Sequence, residues 1–187
     1  MSLIPDFELG LWNAWILILP FFLIWLSGGI INKRKWEEPP PTKMDKKTQG
    51  YRKFVEVCLF LYPIFLPLKL GTNWFQYGFA VYLLGIIFVI IAELNFASTP
   101  VDKPVTKGVY SISRNPMYFG AFLVSIGTGI SSASWLLLLL AIVFIILVNF
   151  EVISEERFCL KRYGESYQEY MNKTPRWIGI PKSEKRD

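Results

Sequence analysis

From Trp74 to Phe96 the chain carries a single charged residue, Glu93, in an otherwise apolar run with Gln76 and Asn95 near its ends. An α-helical bilayer crossing takes about 20 predominantly apolar residues, range ~17 to 25, and this run meets that length. Four further apolar stretches accompany it, at 9–31, 54–70, 116–131 and 134–153. The first is as long as the run at 74–96, the second is near the lower limit, and the last two are short, the final one being free of charge only over 134–150. The 187 residues are 52% hydrophobic and 17% aromatic, with a mean hydropathy of +0.34, which suits one compact membrane unit. The last two stretches read as separate helices because "GTGISSAS" (Gly127 to Ser134) interrupts them with small, turn-prone residues.

Charge supplies the topology. Of 20 Lys and Arg residues, eight lie between Asn32 and Lys53, three between Asp102 and Arg114, and eight from Arg157 onward. Under the positive-inside rule these segments share the cytoplasmic side, and the acidic start (Asp6, Glu8) and the tight turns lie opposite. Five crossings satisfy this. The expected fold class is therefore all-α: a polytopic integral membrane protein of about five transmembrane helices in a single domain over 1–187, N-terminus outside and C-terminus cytoplasmic. The first span has acids before it, "NKRK" after it and no clear small-x-small site, so it reads as a retained anchor and not as a cleaved signal peptide. Pro63 and Pro67 should kink the second span, to which no chemistry is assigned.

Several kinds of chemistry are excluded. Histidine is absent, which removes His-based general bases, His–Asp triads and His-ligated metal or haem, and no metal is expected. Cys58 and Cys159 are isolated. No glycine-rich loop follows a strand pattern, so a soluble nucleotide-binding domain is not expected. The basic loop "KRKWEEPPPTKMDKK" reads as a topology signal in preference to a patch for anionic headgroups, and no nucleic-acid partner is implied.

Polar residues collect at the cytoplasmic ends of the last three spans: Glu93 and Asn95, the linker "ASTPVDKPVTKGVYSISRNPMY", then Asn149, Glu151, Glu155 and Glu156. Ionisable groups near membrane depth are costly and usually pair or line a cavity, so several in one layer suggest a site. Asn115 followed by Pro116 is an N-cap followed by a proline at the first helical position, leaving free N–H groups that favour an anion. Arg114 adds a permanent charge, and Tyr110 and Tyr118 offer stacking faces or hydroxyls. Glu151 and Glu155, four apart, share a helix face. Together these groups suit a zwitterionic ligand. Taken singly they have ordinary explanations: Arg114 as a positive-inside residue, the tyrosines as an interfacial belt, and Glu155 and Glu156 as a solvated helix end.

"KGVYSISRNPMYFG", followed after the hairpin by "EERFCLKRYGESYQEY", resembles the C-terminal signature of the isoprenylcysteine carboxyl methyltransferase and phospholipid methyltransferase superfamily, integral membrane enzymes that use S-adenosylmethionine. The resemblance covers roughly 95–181. It implies that Asp102, Lys103, Pro104, Val105 and Tyr110 line the cofactor pocket, that Asn115, Pro116, Met117 and Tyr118 wrap the cofactor, and that Glu155 binds it. Asn95 stands where relatives have a Gln of similar role. Arg114 and Glu156 occupy the motif's Arg and second Glu, and Arg114 and Glu151 are the candidate catalytic residues.

Two positions depart from the pattern. Asn115 replaces the commoner His; it still caps and hydrogen-bonds but cannot titrate near neutral pH. Glu151 stands where prenylcysteine enzymes have an Arg, and a carboxylate there suits a cationic amine or a protonated partner. The resemblance implies methyl transfer to a lipidic acceptor among membrane lipids, with S-adenosylhomocysteine as product. The leading acceptor is a prenylated cysteine carboxylate, and the alternative is a phospholipid amine of the phosphatidylethanolamine type. More distant readings are a membrane reductase, whose chains are longer, and a non-catalytic lipid-binding protein.

Overall fold

The computed structural model describes residues 9–31 and 46–179. The expectations that fall on Asp6, Glu8, the 32–45 loop and the tail from 180 lie outside the described residues. Among the described residues six α-helices form: α1 Trp15–Ile31, α2 Lys46–Leu61, α3 Asn73–Ser98, α4 Pro116–Ser131, α5 Trp135–Tyr163 and α6 Glu165–Lys173. Single turns of 3-10 helix at Tyr62–Phe65 and Gly108–Ser111 lead out of α2 and toward α4. No strand forms among the described residues, and the fold is all-α.

α3 and α5 are long and apolar enough to cross a membrane. The 26 residues of α3 extend for about 39 Å, more than the ~30 Å of a bilayer's hydrocarbon. Thr72 starts α3 by accepting a 3.3 Å hydrogen bond from Phe75 N–H. Leu83, Leu84, Ile87 and Leu94 on α3, and Leu139, Ile142, Ile146 and Phe150 on α5, are exposed, a collar suited to hydrocarbon. α5 continues past its apolar stretch as a charged helix to Tyr163, with Lys161 and Arg162 in its last turn, where cations meet the negative end of the helix dipole.

The second expected span takes a different form. Pro63 ends the α-helix instead of kinking it, because the ring lacks the N–H that the next helical bond needs. The chain runs on through a 3-10 turn and an extended stretch, whose backbone groups are taken by the approach to α1. Ala14 N–H donates to Leu66 O (2.8 Å), Leu68 N–H to Trp12 O (3.0 Å), and the Asn13 amide to Ile64 O (2.8 Å). For the same reason α1 begins at Trp15, several residues into its apolar run.

α4 matches the expected 116–131. The turn into α5 is narrower than "GTGISSAS" suggested: Gly127 to Ser131 remain helical, Ala133 adopts a left-handed φ of 51°, and Ser134 caps α5 through Leu137 N–H at 3.3 Å. The small residues serve packing. A Cβ on Gly127 would run into the backbone of Tyr82, and one on Gly85 into that of Val124. The α3 and α4 backbones thus approach as small-residue helix pairs in membranes do. Val55 and Leu59 of α2 pack with Phe144, Val148 and Val152 of α5, while Tyr110, Tyr167 and Tyr170 gather with Ala92 where α6 docks.

Candidate active site

The ends of α2, α3, α4 and α5 that carry Lys46, Ser98, Pro116 and Tyr163 meet at one end of the bundle, here termed the basic end. The 99–115 linker folds back over it. Asn95 Oδ1 accepts Val109 N–H at 3.2 Å, pinning the 3-10 turn to the last coils of α3. Tyr110, the buried residue of that turn, receives a 2.7 Å hydrogen bond on its carbonyl from Tyr170 Oη. Burial pushes the Tyr110 phenol well above its ordinary pKa, and Tyr170, Glu93 and Glu155 are among its electrostatic neighbours. Val105 packs against the same tyrosine cluster and Pro104 is half-buried, whereas Asp102 and Lys103 are exposed on the outer part of the linker.

Arg114 and Asn115 are engaged differently from the anion-binding helix end expected of them. Arg114 Nε donates to Glu156 Oε1 (3.0 Å) and Nη1 to Met171 O (2.8 Å). Arg176 grips the other oxygen, with Nε at 3.1 Å and Nη2 at 2.8 Å from Glu156 Oε2. Glu156 is 3% exposed, and two guanidinium groups making three N–O contacts with its carboxylate offset its desolvation. Asn115 sits at the N-cap position but its side chain caps nothing. Its amide instead donates to Arg176 O at 3.1 Å and reaches Glu156 Oε1 at 3.5 Å. Backbone bonds from Arg114 N–H to Pro175 O (3.0 Å) and Gly179 N–H to Ile112 O (3.2 Å) lay the C-terminal segment along the "SRNP" stretch. Arg176 was not foreseen, since no spacing rule ties it to Glu156. Pro116 is buried at the first helical position, as expected.

Beyond Pro116 the first turn of α4 splays its side chains. Met117 packs on the tyrosine cluster, and Tyr118 points toward the α2–α5 core. Tyr118 Oη donates to Glu155 Oε1 at 2.9 Å. One turn earlier on the same face of α5, Glu151 meets Arg52 of α2. Arg52 Nε lies 3.0 Å from Glu151 Oε2, an ion pair outside hydrogen-bond alignment, so that buried oxygen has no hydrogen-bond donor among the described residues. Arg52 Nη1 also donates to Glu56 Oε2 at 3.0 Å, four residues along α2. α2 thus adds a charged residue to the layer where the sequence assigned none.

On another side of the α4–α5 pair, a groove of about 450 Å³ is lined by Phe119, Phe122, Ile145, Ile146, Asn149, Phe150 and Trp177. It is apolar apart from Asn149. Among the described residues, no group of three or more His, Cys, Asp or Glu side chains is arranged to hold a metal ion.

The site therefore brings Asn95, Tyr110, Met117, Tyr118 and Glu155 to one end of the bundle. It leaves Asp102 and Lys103 on the surface, and it commits Arg114 to Glu156 and Glu151 to Arg52. The sequence model of the family described as phospholipid methyltransferase matches residues 72–166, from the cap of α3 to the start of α6. A protein-S-isoprenylcysteine O-methyltransferase of Schizosaccharomyces pombe is 32% identical over 78 residues, 41% of this chain and 32% of that protein. The similarity thus spans about a third of that relative's length.

Proposed function

This chain belongs to the phospholipid methyltransferase family, and on that premise we propose that it is an integral membrane enzyme that moves a methyl group from S-adenosylmethionine to a lipidic acceptor. The observation that carries this reading is the Tyr118–Glu155 hydrogen bond at the end of two lipid-facing helices. Only Oε1 of Glu155 is taken by Tyr118, which leaves the carboxylate able to accept from the ammonium of an amino-acid-like cation. Aromatic groups, Tyr110 and Tyr118, stand beside it. That donor set fits the sulfonium and amino-acid parts of the cofactor.

Glu155 holds the cofactor's amino group, and Tyr118 fixes the rotamer of Glu155. Met117, Pro116, Val105 and Pro104 form the apolar wall, with Asp102 and Lys103 at the outer rim. Asn95 and Tyr110 keep the linker folded over the site, and Asn115 and Arg114 act through Glu156 and Arg176 to set the entry of α4. When bound, the cofactor supplies a methyl carbon already activated by a sulfonium. The protein's task is then alignment and exclusion of water, for which neither histidine nor metal is needed. A carboxylate acceptor needs no base, whereas an amine must lose its proton, and Glu151 is within the layer to take it. The relative's name supports a prenylated cysteine carboxylate as acceptor; the carboxylate of Glu151 supports the second reading, a phospholipid amine. The apolar groove beside Trp177 offers the acceptor's hydrocarbon a place between α4 and α5.

Calorimetry of S-adenosylhomocysteine binding to the detergent-purified chain, paired with a radiolabelled methyl-donor screen over prenylcysteine analogues and phosphatidylethanolamine, tests the proposal. Saturable binding lost in Glu155→Ala is the expected result. A folded, monodisperse protein that binds no cofactor overturns it.

A further inference from the structure

Arg52 lies on α2, outside the family-matched stretch, yet it pairs with Glu151, one helical turn along α5 from Glu155 of the Tyr118–Glu155 pair. Its side chain is 18% exposed, and its charge acts on both Tyr118 and Glu155. Its surroundings place it at a boundary. Lys46, Lys47 and Lys53 flank it on the basic end of α2, and exposed Phe54, Val57 and Leu61 follow, so Arg52 stands where a headgroup layer would meet hydrocarbon. The guanidinium has five N–H donors. The contacts to Glu56 and Glu151 use Nη1 and Nε, which leaves donors for an added oxygen. The two contacts are also unequal: Glu56 is hydrogen-bonded, whereas Glu151 is held by charge alone with its buried Oε2 short of a donor.

We propose that Arg52 is a specificity-determining residue that holds the anionic oxygen of the lipidic acceptor's head, a phosphodiester or a carboxylate, by exchanging Glu151 for that oxygen. The inference rests on the methyltransferase reading above for the identity of the ligand as acceptor. Charge balance dictates what Glu151 then does. Arg52 and Lys53 balance Glu56 and Glu151, so an incoming anion leaves one negative charge in excess, and it falls on Glu151, which gives up its contact with Arg52. A zwitterionic head brings its own ammonium for Glu151; a head bearing only an anion does not. Glu151 therefore favours zwitterionic heads over purely anionic ones, and Arg52 serves both.

The test measures equilibrium binding of short-chain phosphatidylethanolamine, a prenylcysteine carboxylate analogue and a neutral diacylglycerol to the full chain in detergent, alongside KM for whichever acceptors are methylated. Arg52→Gln should weaken both charged ligands by about tenfold or more, the worth of a charge-assisted hydrogen bond, and leave diacylglycerol unchanged. Arg52→Lys should restore much of the loss, and Glu151→Gln should tighten the carboxylate ligand while weakening phosphatidylethanolamine. If Arg52→Gln changes charged and neutral ligands alike, or changes none of them, Arg52 is only a tie between α2 and α5 and the proposal fails. Cofactor binding separates the two levels: a native chain that binds no S-adenosylhomocysteine removes the enzyme reading, while the lipid-binding ratios still decide the role of Arg52.

Discussion

Tyr118 Oη donates a 2.9 Å hydrogen bond to Glu155 Oε1, joining the first turn of α4 to α5 between side chains 37 residues apart. The bond fixes Glu155 in one orientation. Glu155→Ala should abolish S-adenosylhomocysteine binding, and Tyr118→Phe, which removes only the positioning hydroxyl, should weaken it by about tenfold. Calorimetry reads both, and native affinity in Tyr118→Phe would separate the tyrosine from the proposed cofactor site.

Glu156 is buried between Arg114 and Arg176. Glu156→Ala leaves two guanidinium groups without their counter-ion and should cost about 3–5 kcal/mol, the usual result of removing one member of a buried ion-paired set. Arg176→Ala should cost less, because its side chain is 34% exposed and solvent screens its share. Thermal unfolding in detergent should rank the two in that order; equal losses would mean that the exposed arginine carries as much of the cluster as Glu156 does.

The close approach of α3 and α4 predicts opposite outcomes for two glycines. Gly127→Ala places a methyl group against the Tyr82 backbone and should destabilise by about 1–3 kcal/mol through overpacking. Gly50→Ala lies inside α2 with nothing within 4 Å of the new methyl and should stabilise by about 0.5–1 kcal/mol through helix propensity. Unfolding midpoints that move in the same direction would contradict this account of the α3–α4 contact.

Tyr167 and Tyr170 are the buried residues of α6, and burial raises both phenol pKa values above the ordinary tyrosine value. Their protonated forms therefore favour the folded state. That contribution is fully present below about pH 10, the unfolded value, and is lost as pH rises through the folded ones. Stability should fall above about pH 10, and Tyr170→Phe, which has no proton to lose, should fall less steeply. Its loss of the bond to the Tyr110 carbonyl should cost about 1 kcal/mol near neutral pH. An alkaline limb of unchanged slope in Tyr170→Phe would show that this phenol is not the group responsible.

The helices were largely legible in the apolar runs. α4 keeps its expected bounds, and α3 exceeds its run by only a few residues. The second run was the least legible, since hydropathy registers the apolar residues around Pro63 and Pro67 but not that the backbone there would leave the helix and pair with the approach to α1. In the site, Tyr118 and Glu155 were both named from the sequence, as was the shared face of Glu151 and Glu155. That Tyr118 pairs with Glu155, and that Glu151 pairs with Arg52 of α2, was not.

What the sequence determined by itself is an all-helical chain whose polar residues gather at one end. That follows from local physics: the spacing of charges and prolines along the chain sets where an apolar helix can begin and stop, and each helix satisfies its own backbone. Only the tertiary structure decided which charge meets which. Arg114 reaches Glu156 across 42 residues and Arg176 reaches it across 20, while Arg52 reaches Glu151 from a helix outside the family-matched stretch. Those pairings depend on how far each helix is rotated and how closely α3 and α4 approach. Residue spacing within one element does not specify those quantities, because they arise from packing between elements.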